Sequence, residues 1–352
     1  SKVLVTFNGT LFDKKFLEYH FPQLQFPEHH IDLRYLLRRA GHTGGQKSIE
    51  VQLGLKRSEE LVGITGYEAV VLYHEYRRGN KESLNKLISY NHADVQGMKY
   101  MLSYALKKLH NIELSHKKTI ISEQAKTKSK KYTGPLVIAS ELWSLTKSKK
   151  PIVGIDITGS EARPSGFAVI YKDGTVATKR VFSDKDIIAE CVASDAKLIS
   201  IDSPLGIPKG RTKVTDDDPK RWEIGIMRWS ERELKRRGVN VYPCLIPSMQ
   251  KLTARGMRLA KKLRRLGFDV IESYPGAAQD IMQIPRKHAG LPYLKDGLKE
   301  FGMKEGDWYK DKVSHDELDA ITSAIVGLFY LSKKYEALGN DDEEYLIIPK
   351  VN

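Results

Sequence analysis

The stretch PIVGIDITG, residues 151–159, carries the pattern on which the fold prediction rests: a short apolar run that ends in an acid, Asp156, followed by turn residues. A run of this kind between turn residues is typical of a buried β-strand. The segments that follow it are GFAVIY at 166–171, VATKRVF at 176–182, the helical DKDIIAECVA at 184–193 and a further apolar run, KLISIDSPLG, at 197–206. Strands and helices in this order predict an α/β domain with a mixed sheet flanked by helices.

Three apolar runs in this half of the chain each finish on an acid: Asp156, Asp202 and Glu272. The strand ends of an open α/β sheet line one crevice, where ligands bind. A single acid at a strand end is usually a turn former, but three in one domain favour a shared site. Because carboxylates that meet repel one another, a hard divalent cation, Mg²⁺ or Mn²⁺, is the natural compensation.

A final helix, SHDELDAITSAIVGLFYL at 314–331, brings two more acids towards the core. Ser314 and Glu317 form a capping box, and the helix dipole explains Asp316 in the first turn. Asp319 lies past that turn and should be at least partly buried, where an unpaired carboxylate is costly. Capping and a buried ion pair therefore compete with a metal site as explanations of these acids.

The second half resembles a widespread family of predicted nucleases with a ribonuclease H fold, over residues 151 to 335. The motifs that carry the resemblance are GIDITG, IDSPLGIP, the pair Arg232-Glu233, ESYPGAA and HDELDA. The resemblance implies a metal site formed by the first-strand acid Asp156, the fourth-strand acid Asp202 and a helix acid, Asp316 or Asp319. Glu272 is the least certain ligand of this set. GIDITGS is also similar to the phosphate loop of actin-like ATPases, a minor alternative.

The first half resembles the DEDD exonuclease superfamily, closest to its YprB-like branch, over residues 3 to 108. The motifs are VTFNGTLFD, HIDL and YNHADV, in a segment whose pattern predicts a strand at KVLVTF and helical stretches at 33–40, 58–62, 67–77 and 81–110. The resemblance implies that Asp13 and Asp94 are metal ligands and that Tyr90 orients the attacking water, with Asn8 opening the motif and Asp32 supporting it. The competing interpretation is that Asn8-Gly9 is a turn and Tyr90 a core aromatic of a long helix.

This first domain is expected to be incomplete. The Asp-x-Glu strand with which the superfamily opens has no counterpart before KVLVTF, so two of the four implied ligands have no equivalent here. A missing N-terminal segment or a second chain would have to complete the sheet. The first half is therefore expected to be a weak catalyst by itself.

The stretch RWEIGIMRWSERELKRRG, residues 221–238, interleaves basic and indole side chains that can contact phosphates and stack on bases. The candidate nucleic-acid-binding residues are Arg221, Trp222, Arg228, Trp229, Arg232, Arg236 and Arg237. An amphipathic helix with solvated basic residues is an equally good explanation. The same two interpretations apply to KLTARGMRLAKKLRRLG at 251–267. No second histidine stands at helical spacing from His29-His30 or His315, so these are expected to be solvated or to support ligands.

Amino-acid composition and the lengths of the apolar and polar segments give the remaining expectations. With 58 Lys and Arg against 44 Asp and Glu, the net charge of +14 favours a polyanionic partner. The Lys-rich, weakly periodic stretch 113–150 is interpreted as a basic linker between domains 1–112 and 151–352, within which LVIASELWSL is a candidate for a short ordered piece. Only two cysteines are present, which fits a reducing, cytoplasmic setting. The apolar runs are too short for a membrane span.

These patterns together predict two ribonuclease H-like α/β domains, the first one incomplete. The predicted function is divalent-metal-dependent hydrolysis of phosphodiester bonds in DNA or RNA, with clustered carboxylates binding Mg²⁺ or Mn²⁺. The alternative is a nucleic-acid-binding protein without catalysis, whose acidic clusters are decayed or structural. Cleavage that depends on added metal distinguishes the two.

Overall fold

The structure is a computed structural model of the chain, which forms two compact units, Ser1–Thr133 and Gly134–Asn352. It describes residues 2–351 except 11, 59–60, 62–63, 65, 111–136, 288–289 and 311. No helix of the described segments is both long and apolar enough to cross a membrane.

The first unit has a small parallel sheet and a set of helices. Its elements are β1 (Val3–Thr6), α1 (Asp13–His20), β2 (His29–Asp32), α2 (Leu33–Arg39), α3 (Gln46–Gln52), α4 (Gly66–Arg77) and α5 (Lys81–His110). Strands β1 and β2 pair in parallel, with Thr6 opposite Asp32. Buried apolar residues of α2, α3 and α5 form the core of the unit, among them Leu37, Ile49 and Met101.

Most of these elements follow the sequence pattern. The strand in KVLVTF and the long helix at 81–110 are present as predicted. Helix α3 was not predicted, because its Gln-Lys-Ser-Ile-Glu sequence shows little periodicity. The helix predicted at 58–62 falls partly outside the described residues, as does most of the linker.

The second unit is built on seven strands. Its elements are α6 (Ala139–Leu145), β3 (Ile152–Asp156), β4 (Ser165–Ile170), β5 (Val176–Val181), α7 (Asp184–Ala193), β6 (Leu198–Asp202), α8 (Arg221–Ile224), α9 (Trp229–Arg236), α10 (Pro247–Arg265), β7 (Asp269–Ser273), α11 (Pro275–Met282), α12 (Leu291–Phe301), α13 (His315–Leu331), β8 (Tyr335–Asn340) and β9 (Glu344–Pro349). The strand order is β5-β4-β3-β6-β7-β9-β8.

The sheet is mixed, as the sequence predicted. Strand β3 pairs antiparallel with β4 and parallel with β6, and β6 continues in parallel to β7. The parallel strands β3, β6 and β7 therefore end at the same edge of the sheet. The α/β class with a mixed sheet flanked by helices is confirmed.

Helices cover both faces of this sheet, and alternate strand residues point to each face. Ile152 and Leu198 belong to one apolar cluster, which includes residues of α6, α11, α12 and α13. Val153 and Ile199, one residue further along their strands, belong to another, with residues of α7 and α10. Because side chains alternate along a strand, this pattern fixes the face on which each strand-end residue lies.

Several elements differ from the prediction. Helix α6, inside the predicted linker, buries Leu142 and Trp143 in the core of the second unit, which thus begins before residue 151. The basic stretch 221–238, for which one interpretation is a single amphipathic helix, contains two short helices, α8 and α9, because Gly225 ends the first with a positive φ of 80°. Helices α11 and α12 and the hairpin β8-β9 were not predicted.

Candidate metal and nucleic-acid site

Two of the predicted acids lie side by side at the carboxyl edge of the sheet. In the register of β3 with β6, Asp156 is the partner of Asp202. Each acid is the last residue of its strand, four residues after Ile152 or Leu198, which lie on the face that packs against α13. Because side chains two or four residues apart lie on the same face of a strand, both carboxylates point towards α13. Both are partly exposed, which leaves them accessible from solvent.

Two glycines bring α13 against the sheet at this place. A Cβ added to Gly154 would lie 2.0 Å from the carbonyl oxygen of Ala320, and one added to Gly166 would lie 2.0 Å from that of Asp316. Gly166 is the antiparallel partner of Asp156. Only the absence of side chains at these positions allows the first turns of α13 to lie directly above the strand-end acids.

Replacing Gly166 with alanine is therefore expected to displace α13. Since the added Cβ meets main-chain atoms that cannot rotate away, the free energy of unfolding should fall by about 1 to 3 kcal/mol or more. Urea denaturation followed by circular dichroism measures this change. Gly306→Ala is the matched control, because its added Cβ would be 3.6 Å from Trp308, an ordinary contact. Equal stability of the Gly166→Ala and control chains would contradict the close approach.

The helix acids have different partners. Asp319 is 5% exposed and accepts hydrogen bonds from Gln279 Nε2 at 2.9 Å and from Lys287 Nζ at 3.0 Å. Asp316 lies 2.6 Å from Nδ1 of His315. The predicted capping box is present, with the Ser314 hydroxyl accepting from the Glu317 N–H and the Glu317 carboxylate accepting from the Ser314 N–H. Capping therefore involves Glu317, and Asp319 is a buried, paired carboxylate.

The charges of these acids act on one another. Burial raises the pKa of Asp156 well above its ordinary value of 3.8, and the carboxylates of Asp202 and of the two helix acids raise it further. Burial likewise raises the pKa of Asp202, followed by the charge of Asp319. Burial lowers the pKa of Lys287, but the carboxylates of Asp319, Asp156 and Asp316 together more than offset this, and the net pKa is raised. The cluster thus carries more negative charge than Lys287 compensates.

The raised pKa values predict how stability depends on pH. A carboxyl group with a higher pKa in the folded than in the unfolded chain binds its proton more tightly when folded, so its stabilising contribution is lost as pH rises from 3.8 through the folded value. The metal-free chain should lose stability over that window. The charged groups that act on both Asp156 and Asp202 are Asp316, Asp319 and Lys287. The charge of Glu272 also raises the pKa of Asp202.

Urea denaturation of the metal-free chain across this pH range tests the expectation. The Asp202→Asn chain should lose less stability as pH rises, because the substitution removes one of the interacting carboxylates. In the unsubstituted chain, added Mg²⁺ should reduce the loss of stability. Asp195→Asn, at an exposed aspartate, is the matched control and should leave the profile unchanged. An identical slope in the Asp202→Asn and unsubstituted chains would contradict the coupling.

The donor chemistry fits a hard divalent cation. Carboxylate oxygens are the ligands that Mg²⁺ and Mn²⁺ prefer, and the cluster has uncompensated negative charge. Among the residues that the structure describes, no group of three or more His, Cys, Asp or Glu side chains is positioned to hold a metal ion. Lys287 Nζ supplies to Asp319 the positive charge that a cation would supply. Binding a metal through Asp319 thus requires exchange of this ammonium group.

Glu272 does not join this cluster, which corrects the prediction. Its register partner is Ile201, whereas Ser273 is the partner of Asp202, so Glu272 points to the opposite face of the sheet. There it accepts hydrogen bonds from the Leu205 N–H at 2.7 Å and from Arg228 Nη2 at 2.5 Å. It is a buried carboxylate that an arginine neutralises.

The assignment of Arg228 to a nucleic-acid surface is also corrected. Arg228 is 1% exposed and bonds Glu231 as well as Glu272. The guanidinium therefore does not reach solvent.

The other residues of the basic stretch lie nearer the surface. Trp222 is 86% exposed, Trp229 is 43% exposed, and the Arg221 guanidinium stacks 4.6 Å from the Trp222 ring centroid. Arg236 and Arg237 form ion pairs with Glu233. Arg232 donates to the carbonyl of Met227 at 2.6 Å. Arg221 and Trp222 thus form the most open part of this stretch.

In the first unit, Asp13 is close enough to Asp32 for the two carboxylates to interact electrostatically. Burial and then the charge of Asp32 raise the pKa of Asp13. Asp32 accepts from the N–H groups of Asn8 at 2.7 Å, Thr10 at 3.0 Å and Arg34 at 3.1 Å. Although burial raises the pKa of Asp32, these hydrogen bonds lower it overall. Asp32 therefore ties the Asn8 turn to the start of α2.

Asp94 is paired with an arginine. Arg57 Nη2 donates to Asp94 at 2.5 Å and Arg57 Nε donates to Glu50 at 2.7 Å. Tyr90 lies one turn before Asp94 on α5; burial raises its pKa and the charge of Asp94 raises it further. Asp94 thus carries a salt bridge to Arg57, while the charged neighbour of Asp13 is Asp32.

Sequence reasoning missed the residues that hold these acids. Lys287 and Gln279 belong to segments without strong periodicity, and Arg57 lies in an irregular connection. Their partners are 32, 40 and 37 residues away along the chain, respectively. No local motif indicates such pairs.

The comparisons with known proteins bear on the first unit. Residues 1–106 match a family model described as RNase_H superfamily. The N-terminal part of the chain is therefore ribonuclease H-like, as its motifs predicted. No curated protein and no solved structure matches the chain.

Proposed function

We propose that this protein is a divalent-metal-dependent nuclease whose catalytic carboxylates lie in the second unit. The observation that carries the proposal is the pairing of Asp156 with Asp202 in register on the face covered by α13, where Asp319 couples to both. The ribonuclease H-like match of residues 1–106 supports a nucleic acid as substrate. The proposal includes membership of residues 151–335 in the predicted nuclease family and a YprB-like origin of the first unit.

Asp156 and Asp202 would hold Mg²⁺ or Mn²⁺ from the sheet, and Asp319 or Asp316 would hold it from the helix. A cation bound there would supply activation of water and charge stabilisation of the leaving oxygen of the phosphodiester. Asp156 is the central member, because it ends β3, which lies between β4 and β6 in the sheet. Lys287 neutralises Asp319 in the metal-free protein, and Gln279 keeps its carboxylate oriented.

A specific observation favours the alternative function for the first unit. Asp94 is already paired with Arg57, whose other nitrogen bonds the buried Glu50. Removing a guanidinium from two carboxylates is costly, since it leaves buried charge uncompensated. We therefore propose that the first unit binds nucleic acid and contributes little or no catalysis through Asp13, Tyr90 and Asp94.

The exposed indole of Trp222 provides a test of nucleic-acid binding that is separate from cleavage. If a base stacks on it, Trp222→Ala should weaken binding of a single-stranded oligonucleotide by about 1 to 3 kcal/mol. Fluorescence anisotropy in EDTA measures this affinity without turnover. Val192→Ala is the control, because Val192 is an exposed apolar residue of α7, outside both basic stretches 221–238 and 251–267. Unchanged affinity of the Trp222→Ala chain would remove this residue from the binding surface.

The function itself is tested by incubating labelled DNA and RNA oligonucleotides with the full chain, with and without Mg²⁺ or Mn²⁺. Metal-dependent cleavage supports the nuclease. Binding without cleavage under any of these conditions supports the non-catalytic alternative.

A further inference from the structure

A second concave site begins one residue beyond Asp156. A cavity of about 470 Å³ opens between the loop that follows β3, residues 157–160, and the first turns of α10. Arg163 and Lys251 contribute positive charge to its lining, and Ser160 and Ser248 contribute hydroxyl groups. No acidic residue lines it.

The two cations of this cavity have no acidic partner. Among the described residues, no carboxylate lies within ion-pair distance of either Arg163 or Lys251, whereas Arg264 further along α10 pairs with Glu344. Two unpaired cations that converge on one concavity repel each other. An anion between them would relieve that repulsion, and guanidinium and ammonium groups are the usual donors to phosphate oxygens.

A buried arginine, Arg255, fixes the conformation of the loop by hydrogen bonds to its carbonyl groups. Arg255 is 1% exposed; its Nη1 donates to the carbonyls of Thr158 at 2.8 Å and Ser160 at 3.2 Å. Its Nε donates to Asp184 at 2.8 Å and its Nη2 to the Phe182 carbonyl at 2.7 Å. Because Arg255 donates to two carbonyls of the loop, the protein itself holds the loop in this conformation without a bound anion.

The main chain of the loop, whose residues line the cavity, has unpaired donors. Within the described parts of the chain, the N–H groups of Gly159 and Ser160 donate to no protein acceptor. A Cβ on Gly159 would lie 3.2 Å from the Leu252 nitrogen and 3.3 Å from Lys251 Cβ, so glycine lets the loop approach α10. Successive free N–H groups in a turn form anion-binding concavities.

We propose that this cavity binds a backbone phosphate of the nucleic acid whose scissile bond lies at Asp156 and Asp202. The inference rests on the proposed function and adds to it a site for a neighbouring phosphate. Asp156 faces α13 while the cavity opens beside α10, so the bound strand passes over the carboxyl end of β3. Arg163 and Lys251 bind the phosphate charge, and Arg255 positions the loop without touching the ligand.

The experiment measures binding of labelled single-stranded DNA and RNA oligonucleotides to the full chain in EDTA, so that no cleavage occurs. The variants are Arg163→Gln, Lys251→Gln and the double substitution. Lys172→Gln is the matched control: Lys172 is exposed at the opposite end of β4 from Ser165. A series of oligonucleotides, each with one methylphosphonate, removes the charge of one phosphate at a time.

In the unsubstituted chain, one methylphosphonate position should weaken binding more than the others. In the double variant that position should lose its effect, because its protein partners are gone. The slope of log K against log salt should fall by about 0.7 for each lost single-strand phosphate contact. The Lys172→Gln chain should retain both the slope and the sensitive position.

The outcomes separate this inference from the function on which it rests. If the unsubstituted chain binds no oligonucleotide, both the proposed function and the phosphate site are overturned. If it binds, but the double variant keeps the same slope and the same sensitive position, only the phosphate site is overturned. If inorganic phosphate binds in the cavity while oligonucleotide binding is indifferent to the substitutions, the ligand is a small free anion and the inference is wrong.

Discussion

The Asp156→Asn chain should lose Mg²⁺- or Mn²⁺-dependent cleavage of oligonucleotides by more than about 100-fold, the upper range for mutating a residue that only supports a metal ligand. Asp156 is the partner of Asp202 in the sheet and is coupled to both helix acids, so its loss removes the negative charge at the centre of the cluster. The initial rate of cleavage at saturating metal measures the effect.

Two controls keep this result specific. Asp94→Asn should preserve most of the cleavage, because Asp94 is already neutralised by Arg57. The thermal unfolding of the Asp156→Asn chain should show a folded protein, no less stable than the parent without metal, since the substitution removes a repelling carboxylate. If Asp94→Asn abolishes cleavage while Asp156→Asn retains it, catalysis belongs to the first unit and the proposal is wrong.

Arg228→Met should lower the free energy of unfolding by about 3 to 5 kcal/mol, the usual cost of removing one partner from a buried ion pair. Arg228 bonds both Glu231 and Glu272, and all three side chains are almost fully buried. Methionine preserves much of the side-chain volume but leaves two carboxylates without their cation. Urea denaturation at neutral pH gives the difference.

The matched design is a double-mutant cycle. Adding Glu272→Gln to Arg228→Met should restore part of the lost stability, because the amide can still accept the Leu205 N–H without carrying a charge. Arg265→Met, at an exposed arginine of α10, should cost little and controls for the chemistry of the substitution. Additive effects of the two network substitutions would argue against a direct Arg228–Glu272 pair.

The sequence predicted the fold of the second unit from local patterns. Apolar runs ending at Asp156 and Asp202 marked two strands, and parallel strands end at one edge of a sheet, so their meeting followed from periodicity and topology alone. The capping box at Ser314 fixed the start of α13 in the same way, because it depends on residues three apart.

The predictions that failed depend on distances along the chain that no local pattern contains. Glu272 also ends an apolar run, but β7 continues to Ser273, and the face on which Glu272 lies depends on the register of β7 with β6, which a shift of one residue reverses. Arg228 has the spacing of a solvated basic residue, yet its partner Glu272 is 44 residues away. The close approach of α13 needed Gly154 and Gly166 together, which the sequence alone does not relate.

The most direct test of the central claim is crystallography of the full chain soaked in Mn²⁺, with anomalous diffraction to locate the metal. We expect an anomalous peak at Asp156 and Asp202, with carboxylate oxygens about 2.0 to 2.6 Å from the ion and Lys287 Nζ displaced from Asp319. A well-ordered second unit at saturating Mn²⁺ with no peak at these aspartates, and with Lys287 still bonded to Asp319, would contradict it.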